Sequence, residues 1–150
     1  VPLVIADPRP EAAVSATDEL ASTIDLASTF LDLGEVGAYE GMQGFSLVPL
    51  TRDPAASVRT EVLVEEDEPF DLAGLGAPLR MRTLITKDSR VSVYQGSDRG
   101  ELFDLTDDPD EMRNVFDDPG ARLFRGDMTE RLARSLMEHA DRGNVPSYLA

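Results

Sequence analysis

The chain is 150 residues long, carries 14 basic and 29 acidic side chains, and has a formal net charge of −15. This length predicts one domain, its 41% hydrophobic residues suffice for a core, and the lack of cysteine excludes disulfides, thiolate metal sites and cysteine nucleophiles. Negative charge at this density repels phosphate backbones and anionic lipids, so we expect neither nucleic-acid nor membrane partners.

The chain opens on an apolar segment, residues 1–6, that predicts a buried strand with no turn before it. Pro8 and Pro10 end this strand, because a proline removes a backbone donor and restrains the residue before it. The first residue is Val1 and the strand has no preceding cap, so we expect the sequence to be part of a longer chain. Residues that perform chemistry would then precede Val1.

A helix is predicted after this opening segment. Residues 22–25 match a capping box, in which the Ser22 hydroxyl and the Asp25 carboxylate satisfy free N–H groups at a helix start. Gly34 stands where a left-handed C-terminal cap is favoured. The apolar residues between these signals form a wide face and predict a largely buried helix: Ile24, Leu26, Ala27, Phe30, Leu31 and Leu33.

Glycine and proline punctuate residues 37–54, so little regular structure is expected there. Gly41 and Gly44 allow tight turns of the backbone. Residues 46–50 favour a short helical turn, which we expect Pro49 to limit.

The second half of the chain predicts an antiparallel sheet and a helix. Residues 59–65 have the β-branched content of a strand, and an acidic, glycine-containing loop follows. Alternation over residues 79–94 predicts a β-hairpin, and residues 101–105 predict a further strand. Residues 119–141 predict an amphipathic helix that packs on the sheet. Its apolar stripe consists of Phe124, Met128, Leu132, Leu136 and Ala140.

No common catalytic or nucleotide-binding motif occurs: there is no Gly-x-Ser-x-Gly, no P-loop and no Gly-x-Gly-x-x-Gly. His139, the single histidine, has no Ser or Cys motif as a partner, so we expect it to complement the helix C-terminus or lie exposed. Met81, Met128 and Met137 lie on apolar faces and are interpreted as core residues.

The densest polar cluster lies in a predicted turn and consists of Asp104, Asp107, Asp108, Asp110 and Glu111. Calcium binds such carboxylate oxygens, but an EF-hand loop requires a central glycine where this segment has Pro109. A solvated turn is therefore the favoured interpretation, and a calcium-stabilised acidic module is the less favoured one. Asn114, which follows the cluster, is expected to hydrogen-bond to nearby backbone.

The basic residues are thirteen arginines and a single lysine, Lys87. An acidic surface with few lysines keeps a protein soluble at high salt, because counter-ions screen its self-repulsion over about 3 Å at 1 M. This composition fits a halophilic source, and it fits equally a GC-rich genome that favours arginine codons. Lys87 itself lies in the predicted hairpin turn, where we expect solvation.

Five segments, in this order, resemble the C-terminal third of sulfatases: residues 1–5, 22–27, 41–49, 82–86 and 101–115. The last segment is the most specific, because it resembles the family pattern Glu-Leu-Tyr-Asp-Leu, then Asp-Pro-x-Glu, then Asn-Leu. The resemblance extends from Val1 to about Leu136.

The resemblance implies a fold like that of alkaline phosphatase, with a large N-terminal α/β domain and a smaller antiparallel sheet that carries a helix. It implies hydrolysis of sulfate esters, or in some relatives phosphate or phosphonate esters, by a formylglycine made in a Cys/Ser-x-Pro-x-Arg motif. A divalent cation, usually calcium, polarises the ester. This sequence lacks that motif, and the family's catalytic lysine and histidines precede its Val-Pro-Leu strand.

We therefore assign no catalytic, cofactor-binding or metal-binding residue to this chain, and we expect calcium and formylglycine in an N-terminal part that precedes it. The expected fold class is α+β. Residues 1–58 are expected to form the end of the sulfatase N-terminal α/β domain, and residues 59–150 a C-terminal subdomain of antiparallel sheet and packed helix.

The expected function is that of the C-terminal portion of a sulfatase-family hydrolase, which acts as scaffold and forms a cleft wall with the loop of residues 39–43. The alternative is a stand-alone, non-catalytic binding or assembly module. Expected partners are the N-terminal sulfatase domain and, in a homo-oligomer, a second copy of the chain. A cytoplasmic location is the starting expectation.

Overall fold

The computed structural model describes residues 3–6, 8–9, 16–39, 41–72 and 74–140. The helices are α1 (Asp25–Leu33), α2 (Val48–Arg52) and α3 (Arg122–His139), with a 3-10 turn at Pro119–Ala121 directly before α3. The strands are β1 (Val62–Asp67), β2 (Arg80–Ile85), β3 (Ser89–Tyr94) and β4 (Gly100–Asp104). None of the described helices is long and apolar enough to cross a lipid bilayer.

The four strands form one antiparallel sheet in which each strand pairs with its neighbours in sequence, in the order β1-β2-β3-β4. The register places Leu84 opposite Val91 and Val91 opposite Leu102, so the three side chains share one face. This confirms the predicted hairpin and the strand after it. The first strand begins later than predicted, at Val62, and extends to Asp67 because the acidic residues at its end remain paired with β2.

The core lies between α3 and one face of the sheet. Leu84, Val91 and Leu102 are fully buried at the centre of the sheet, and they pack with Met128 and Leu132 of α3. Partly buried residues surround this cluster: Leu63, Val93, Val115, Phe116, Ala121, Phe124 and Leu136. The prediction that the hairpin, the following strand and the last helix form one packed unit is confirmed.

Two positions on α3 differ from the predicted stripe. Met137 is 76% exposed, so the prediction that it fills the core is wrong. It follows the stripe residue Leu136 by one position, which turns its side chain by about 100° around the helix toward solvent. Ala140 is also exposed, and Asp141, where the helix was predicted to end, lies outside the described residues.

Helix α1 buries its polar face instead of its apolar face. Asp25, Ser28 and Thr29 are the buried residues of this helix, whereas Phe30 is 68% and Leu33 is 39% exposed. The prediction of a largely buried apolar helix is therefore wrong within this chain. The physical reason is that the polar side chains bind the backbone of residues 44–47, while the described residues offer nothing that covers the apolar stripe.

The ends of α1 also depart from the predicted caps. Gly34 has a φ of −86°, and the left-handed residue is the next one, Glu35, with a φ of 55°. At the other end, Ile24 is the N-cap and makes no side-chain capping bond. One of the two hydrogen bonds of the predicted capping box is present, because Asp25 Oδ2 accepts the Ser22 N–H at 2.7 Å.

Two segments before the sheet differ from their predictions. Residues 3–6 form no strand, and Val4 is 88% exposed, because no strand of the sheet pairs with them. Val1 and Pro2, which the prediction included, lie outside the described residues. Helix α2 runs through Pro49 to Arg52 instead of ending at the proline. Pro49 lies in the first turn of this helix, where a backbone N–H has no intrahelical partner to lose.

The charge balance predicts that salt stabilises the fold. We expect the melting temperature to rise as potassium chloride increases from low to molar concentration, because screening relieves repulsion among 29 carboxylates more than it weakens exposed ion pairs such as Arg134–Glu130. Thermal melts followed by circular dichroism measure this effect. A flat or falling melting temperature would contradict the halophilic interpretation.

Candidate functional site

The candidate site is the segment of residues 41–47, termed the 41–47 loop, which includes part of the predicted cleft wall. Helix α1 holds its backbone: Ser28 Oγ donates to the Gly44 carbonyl at 2.8 Å, and Thr29 Oγ1 accepts the Leu47 N–H at 2.9 Å. The Ser46 hydroxyl donates to the Asp32 carboxylate. Three polar side chains on two successive turns of α1 thus fix the loop to the helix.

The far end of the loop contacts the last helix. Gln43 Nε2 donates to the carbonyl oxygen of His139 at 2.7 Å, and this contact joins residues 96 positions apart. His139 is the last residue of α3, and its Nδ1 lies 2.8 Å from the Ser135 carbonyl. The predicted place of His139 at a helix C-terminus is confirmed, and the loop is held from both sides.

Two glycines give the loop its shape, as predicted. Gly41 has a φ of 93°, a conformation that L side chains rarely adopt. At Gly44 a Cβ atom would overlap the Ile24 carbonyl oxygen and lie 3.0 Å from Ser28 Oγ. The close approach of the loop to α1 therefore requires a glycine.

We expect Gly44→Ala to lower the free energy of unfolding by about 1–3 kcal/mol, because a backbone atom must move to make room for the added methyl group. Urea denaturation of the purified chain measures this loss. Gly37→Ala is the matched control, since its Cβ would meet nothing within 4 Å and its φ is not positive. Equal stability of Gly44→Ala and Gly37→Ala would contradict the close approach of the loop at Gly44 to the Ile24 carbonyl.

A buried ion pair completes the site. The Arg59 guanidinium pairs with the Asp25 carboxylate, and the side chains are 4% and 0% exposed. Asp25 Oδ1 also accepts the Phe45 N–H at 2.8 Å, and the Arg59 guanidinium lies 5.0 Å from the centre of the Phe45 ring. Sequence reasoning missed this pair, because Asp25 and Arg59 are 34 positions apart and neither belongs to a motif that predicts their contact.

The side chains of the 41–47 loop, together with Tyr39 just before it, suit a binding surface and not a catalytic centre. Phe45 and Tyr39 are half to mostly exposed aromatic residues, and Gln43 is an exposed amide. Ser46 is the hydroxyl of the loop, and it donates to a carboxylate without a histidine beside it. These groups can pack against and hydrogen-bond to a ligand, but they form no arrangement for nucleophilic or acid–base catalysis.

The acidic cluster is organised as a turn. Asp108 accepts backbone N–H groups from Met112 at 3.0 Å and Arg113 at 2.8 Å, and Asp104 accepts that of Thr106 at 3.1 Å. Backbone donors thus occupy these carboxylates. Over the described ranges, no group of three or more His, Cys, Asp or Glu side chains converges as a metal site.

Glu111 of this cluster belongs to a second charged group, centred on Arg90. The guanidinium binds Glu111 at 2.6 Å and Glu101 at 2.9 Å, and it lies 4.7 Å from the Phe103 ring centre. Burial alone would lower the pKa of Arg90, but the hydrogen bonds to Glu111 and Glu101 outweigh it and raise the pKa. Two carboxylates neutralise this cation, so it offers no site for an anion.

Other sequence-predicted residues have structural partners. Asn114 binds backbone as predicted, with Oδ1 accepting the Leu102 N–H at 2.9 Å and Nδ2 donating to the Gly100 carbonyl at 3.0 Å. Lys87 does not simply extend into solvent, because its ammonium pairs with Glu19, 68 positions earlier in the chain. Hydrogen bonds from Lys87 and then Ser57 lower the pKa of Glu19.

A shallow depression of about 390 Å³ lies elsewhere on the sheet and is lined by Arg80, Arg82, Val93, Tyr94 and Gln95. Arg82 is already paired with Glu65 at 2.8 Å and Asp67 at 2.9 Å. The depression therefore carries little net positive charge, and the 41–47 loop remains the better candidate site.

Comparison with known proteins gives a consistent result. Residues 1–138 match the family described as N-sulphoglucosamine sulphohydrolase, C-terminal. The N-acetylglucosamine-6-O-sulfatase of Bacteroides thetaiotaomicron is 26% identical over 117 residues, covering 77% of this chain and 21% of that protein. Arylsulfatase K of Gallus gallus is 31% identical over 125 residues, covering 77% of this chain and 22% of that protein.

A third relative differs in length. An uncharacterised protein of Haemophilus influenzae is 31% identical over 115 residues, and the match covers 77% of this chain and 56% of that protein. The chain thus spans just over half of this relative and about a fifth of the two sulfatases. The Haemophilus protein is therefore much shorter than they are.

Solved structures share the fold. The phosphonate monoester hydrolase of Silicibacter pomeroyi has a TM-score of 0.67 and 25% identity, over 81% of this chain and 26% of that one. A protein solved in complex with its substrate, D-glucosamine-2-N,6-O-disulfate, has a TM-score of 0.64 and 23% identity, over 79% of this chain and 24% of that one. The four-stranded antiparallel sheet with its C-terminal helix matches the C-terminal subdomain of such proteins.

Proposed function

We propose that this chain, which belongs to the family of sulfatase C-terminal domains, serves as the C-terminal part of a sulfatase-family hydrolase and docks on the catalytic α/β domain. In this role it is a scaffold, and its 41–47 loop forms part of a cleft wall. Residues 1–58 would pack with the α/β domain, and residues 59–150 would form the subdomain beside it.

The inverted amphipathicity of α1 carries this proposal. A helix that buries Asp25, Ser28 and Thr29 against its own chain leaves the apolar residues Phe30 and Leu33 toward solvent. Exposed apolar residues also precede and follow the helix: Leu3, Val4, Ile5, Ile24 and Val36. Phe30 and Leu33 lie three positions apart and therefore share one face of the helix. An exposed apolar helix face of this kind favours an interaction site, because covering it removes apolar surface from water.

The length of the relatives supports a catalytic domain as the partner that covers this surface. In both sulfatases, about four-fifths of the chain lies outside the matched segment. The substrate follows from the same proposal: the complete hydrolase would cleave a sulfate ester, with formylglycine and calcium held by residues outside this chain. The fold is shared with phosphonate monoester hydrolases, so a phosphonate or phosphate ester is the alternative substrate.

The test begins with the reading frame upstream of Val1. An in-frame Cys/Ser-x-Pro-x-Arg motif supports the hydrolase, and a start codon close to Val1 supports a stand-alone module. The full-length protein is then assayed for aryl sulfate hydrolysis with Phe30→Asp or Leu33→Asp. We expect either change to reduce active soluble enzyme, because it places a charge in the domain interface.

Leu123→Asp is the matched control for these variants. Leu123 is an apolar residue on α3 that is 85% exposed, and it lies outside the proposed interface. Full activity of all three variants would contradict docking through α1. Loss of activity in the control alone would place the interface on α3.

A stand-alone binding or assembly module is the second candidate. Two observations favour it: the sheet and α3 enclose a core of their own, and the Haemophilus relative is short. In this case the chain needs no catalytic domain, and the apolar face of α1 would cover another partner.

We expect this chain alone to show no hydrolysis of an aryl sulfate, with or without calcium. Ester cleavage needs an activated nucleophile, positive charge at the sulfate oxygens and a proton donor for the leaving group, and the nucleophile motif is missing. A net charge of −15 also repels a sulfate monoanion. Turnover by rigorously purified chain, abolished by a substitution within it, would overturn this expectation.

A further inference from the structure

We propose that Arg59 is a positioning residue, which acts through Asp25 to fix the 41–47 loop relative to the sheet. The positive charge at position 59, and not only the bulk of its side chain, would then determine the geometry of the loop. The proposal depends on the proposed function in one respect: the proposed function gives the 41–47 loop the role of a cleft wall.

The Asp25 carboxylate is the centre of this arrangement. It is fully buried and accepts three donors: the Ser22 N–H at 2.7 Å, the Phe45 N–H at 2.8 Å and the Arg59 guanidinium. Burying a carboxylate is costly unless a cation pairs with it. Without the cation, water that enters the site would compete for the carboxylate and weaken its bond to the Phe45 N–H.

Arg59 holds Phe45 in a second way. Its guanidinium lies 5.0 Å from the centre of the Phe45 ring, so one cation contacts the ring while its carboxylate partner holds the backbone of the same residue. Arg59 Nη1 also lies 3.4 Å from the Glu61 carbonyl oxygen, one residue before β1. The loop is thereby tied to the start of the sheet.

The connection continues to the last helix. The Glu61 carboxylate accepts a hydrogen bond from Arg131 Nε of α3 at 2.7 Å. A continuous series of contacts thus runs from α3 through Glu61, Arg59 and Asp25 to Phe45. The bonds from Ser28 and to Thr29 are neutral, and Gln43 and Ser46 bind the His139 carbonyl and the Asp32 carboxylate. None of these bonds involves Arg59. The backbone at Phe45 is therefore the position that should respond most to the charge at position 59.

Amide hydrogen exchange of the whole 150-residue chain, measured residue by residue by NMR, tests the proposal with Arg59→Met and Arg59→Lys. Met keeps most of the side-chain volume without the charge, and Lys keeps the charge. We expect Arg59→Met to accelerate exchange of the Phe45 amide by about tenfold to a hundredfold, because its acceptor loses the cation that stabilises it. We expect Arg59→Lys to retain most of the protection.

Arg134→Met is the matched control, because Arg134 belongs to an exposed pair with Glu130 on α3. In Arg134→Met, the Phe45 amide should exchange at the same rate as in the parent chain. The amides of Leu84, Val91 and Leu102 report whether the core is intact in each variant. If Arg59→Met unfolds the core, the proposal is judged from Arg59→Lys alone. Slow exchange of the Phe45 amide in Arg59→Lys then supports the proposal, and fast exchange contradicts it.

Two results would overturn it. Unchanged exchange at Phe45 in a folded Arg59→Met would show that the bonds independent of Arg59 hold the loop. Equal loss of protection in Arg59→Lys and Arg59→Met would show that only the shape of arginine matters. Neither result depends on hydrolysis or docking, so failure here is distinguishable from failure of the proposed function.

Discussion

Leu132→Ala is expected to lower the free energy of unfolding by about 2–5 kcal/mol, because removing a buried leucine side chain loses its transfer free energy and leaves a cavity. Leu132 is 2% exposed and packs from α3 onto the centre of the sheet, among Leu84, Val91 and Leu102. Its neighbours lie on paired strands, which limits how far they can move to fill the space. Urea denaturation followed by circular dichroism measures the loss.

Met137→Ala is the control for this substitution. Met137 lies on the same helix but is mostly exposed, and methionine and alanine both favour helices, so we expect a change within about 0.5 kcal/mol. A loss below about 1 kcal/mol for Leu132→Ala would show that the site collapses without cost or that α3 is detached from the sheet.

Asp25→Asn is expected to destabilise the α1 region by about 3–5 kcal/mol, the range for removing one member of a buried ion pair. The asparagine leaves the Arg59 charge buried without its partner, and its amide group has to face one of the three donors that Asp25 accepts. The measurement is urea denaturation followed through the NMR signals of α1, because this region need not unfold together with the sheet.

Glu130→Gln is the control, since it removes one member of an exposed pair with Arg134. Exposed pairs of this spacing contribute about 0.3–0.5 kcal/mol, so the control should hardly change stability. Similar losses for Asp25→Asn and Glu130→Gln would contradict the buried, paired state of Asp25.

The sheet and α3 could be predicted from sequence because their signals are local and their partners lie within the chain. Alternation marks the hairpin, and i to i+4 spacing marks the stripe that contains Met128 and Leu132. The apolar face of the sheet packs against the apolar stripe of α3, so the sequence pattern and the observed packing agree. Asn114 was predictable for a related reason: its backbone partners lie on the neighbouring strand, 12 and 14 positions earlier.

The region before the sheet could be predicted less well, because its contacts depend on distant residues. The sequence pattern of α1 shows that one face of the helix is hydrophobic, but it does not show which part of the protein covers that face. The burial of Asp25 depends on Phe45 and Arg59, which are 20 and 34 positions away. An apolar segment such as residues 3–6 becomes a strand only beside another strand, and the sheet described here does not supply one.

The acidic end of β1 has a consequence for self-association. Among the described residues, β1 is the first strand in the order of the sheet and pairs only with β2. An edge strand of this kind is a template on which another molecule can add a strand. Glu65, Glu66 and Asp67 place three consecutive carboxylates on this edge, so two copies repel each other there at neutral pH. The hydrogen bond from Arg82 lowers the pKa of Asp67, so this carboxylate keeps its charge into more acidic solution.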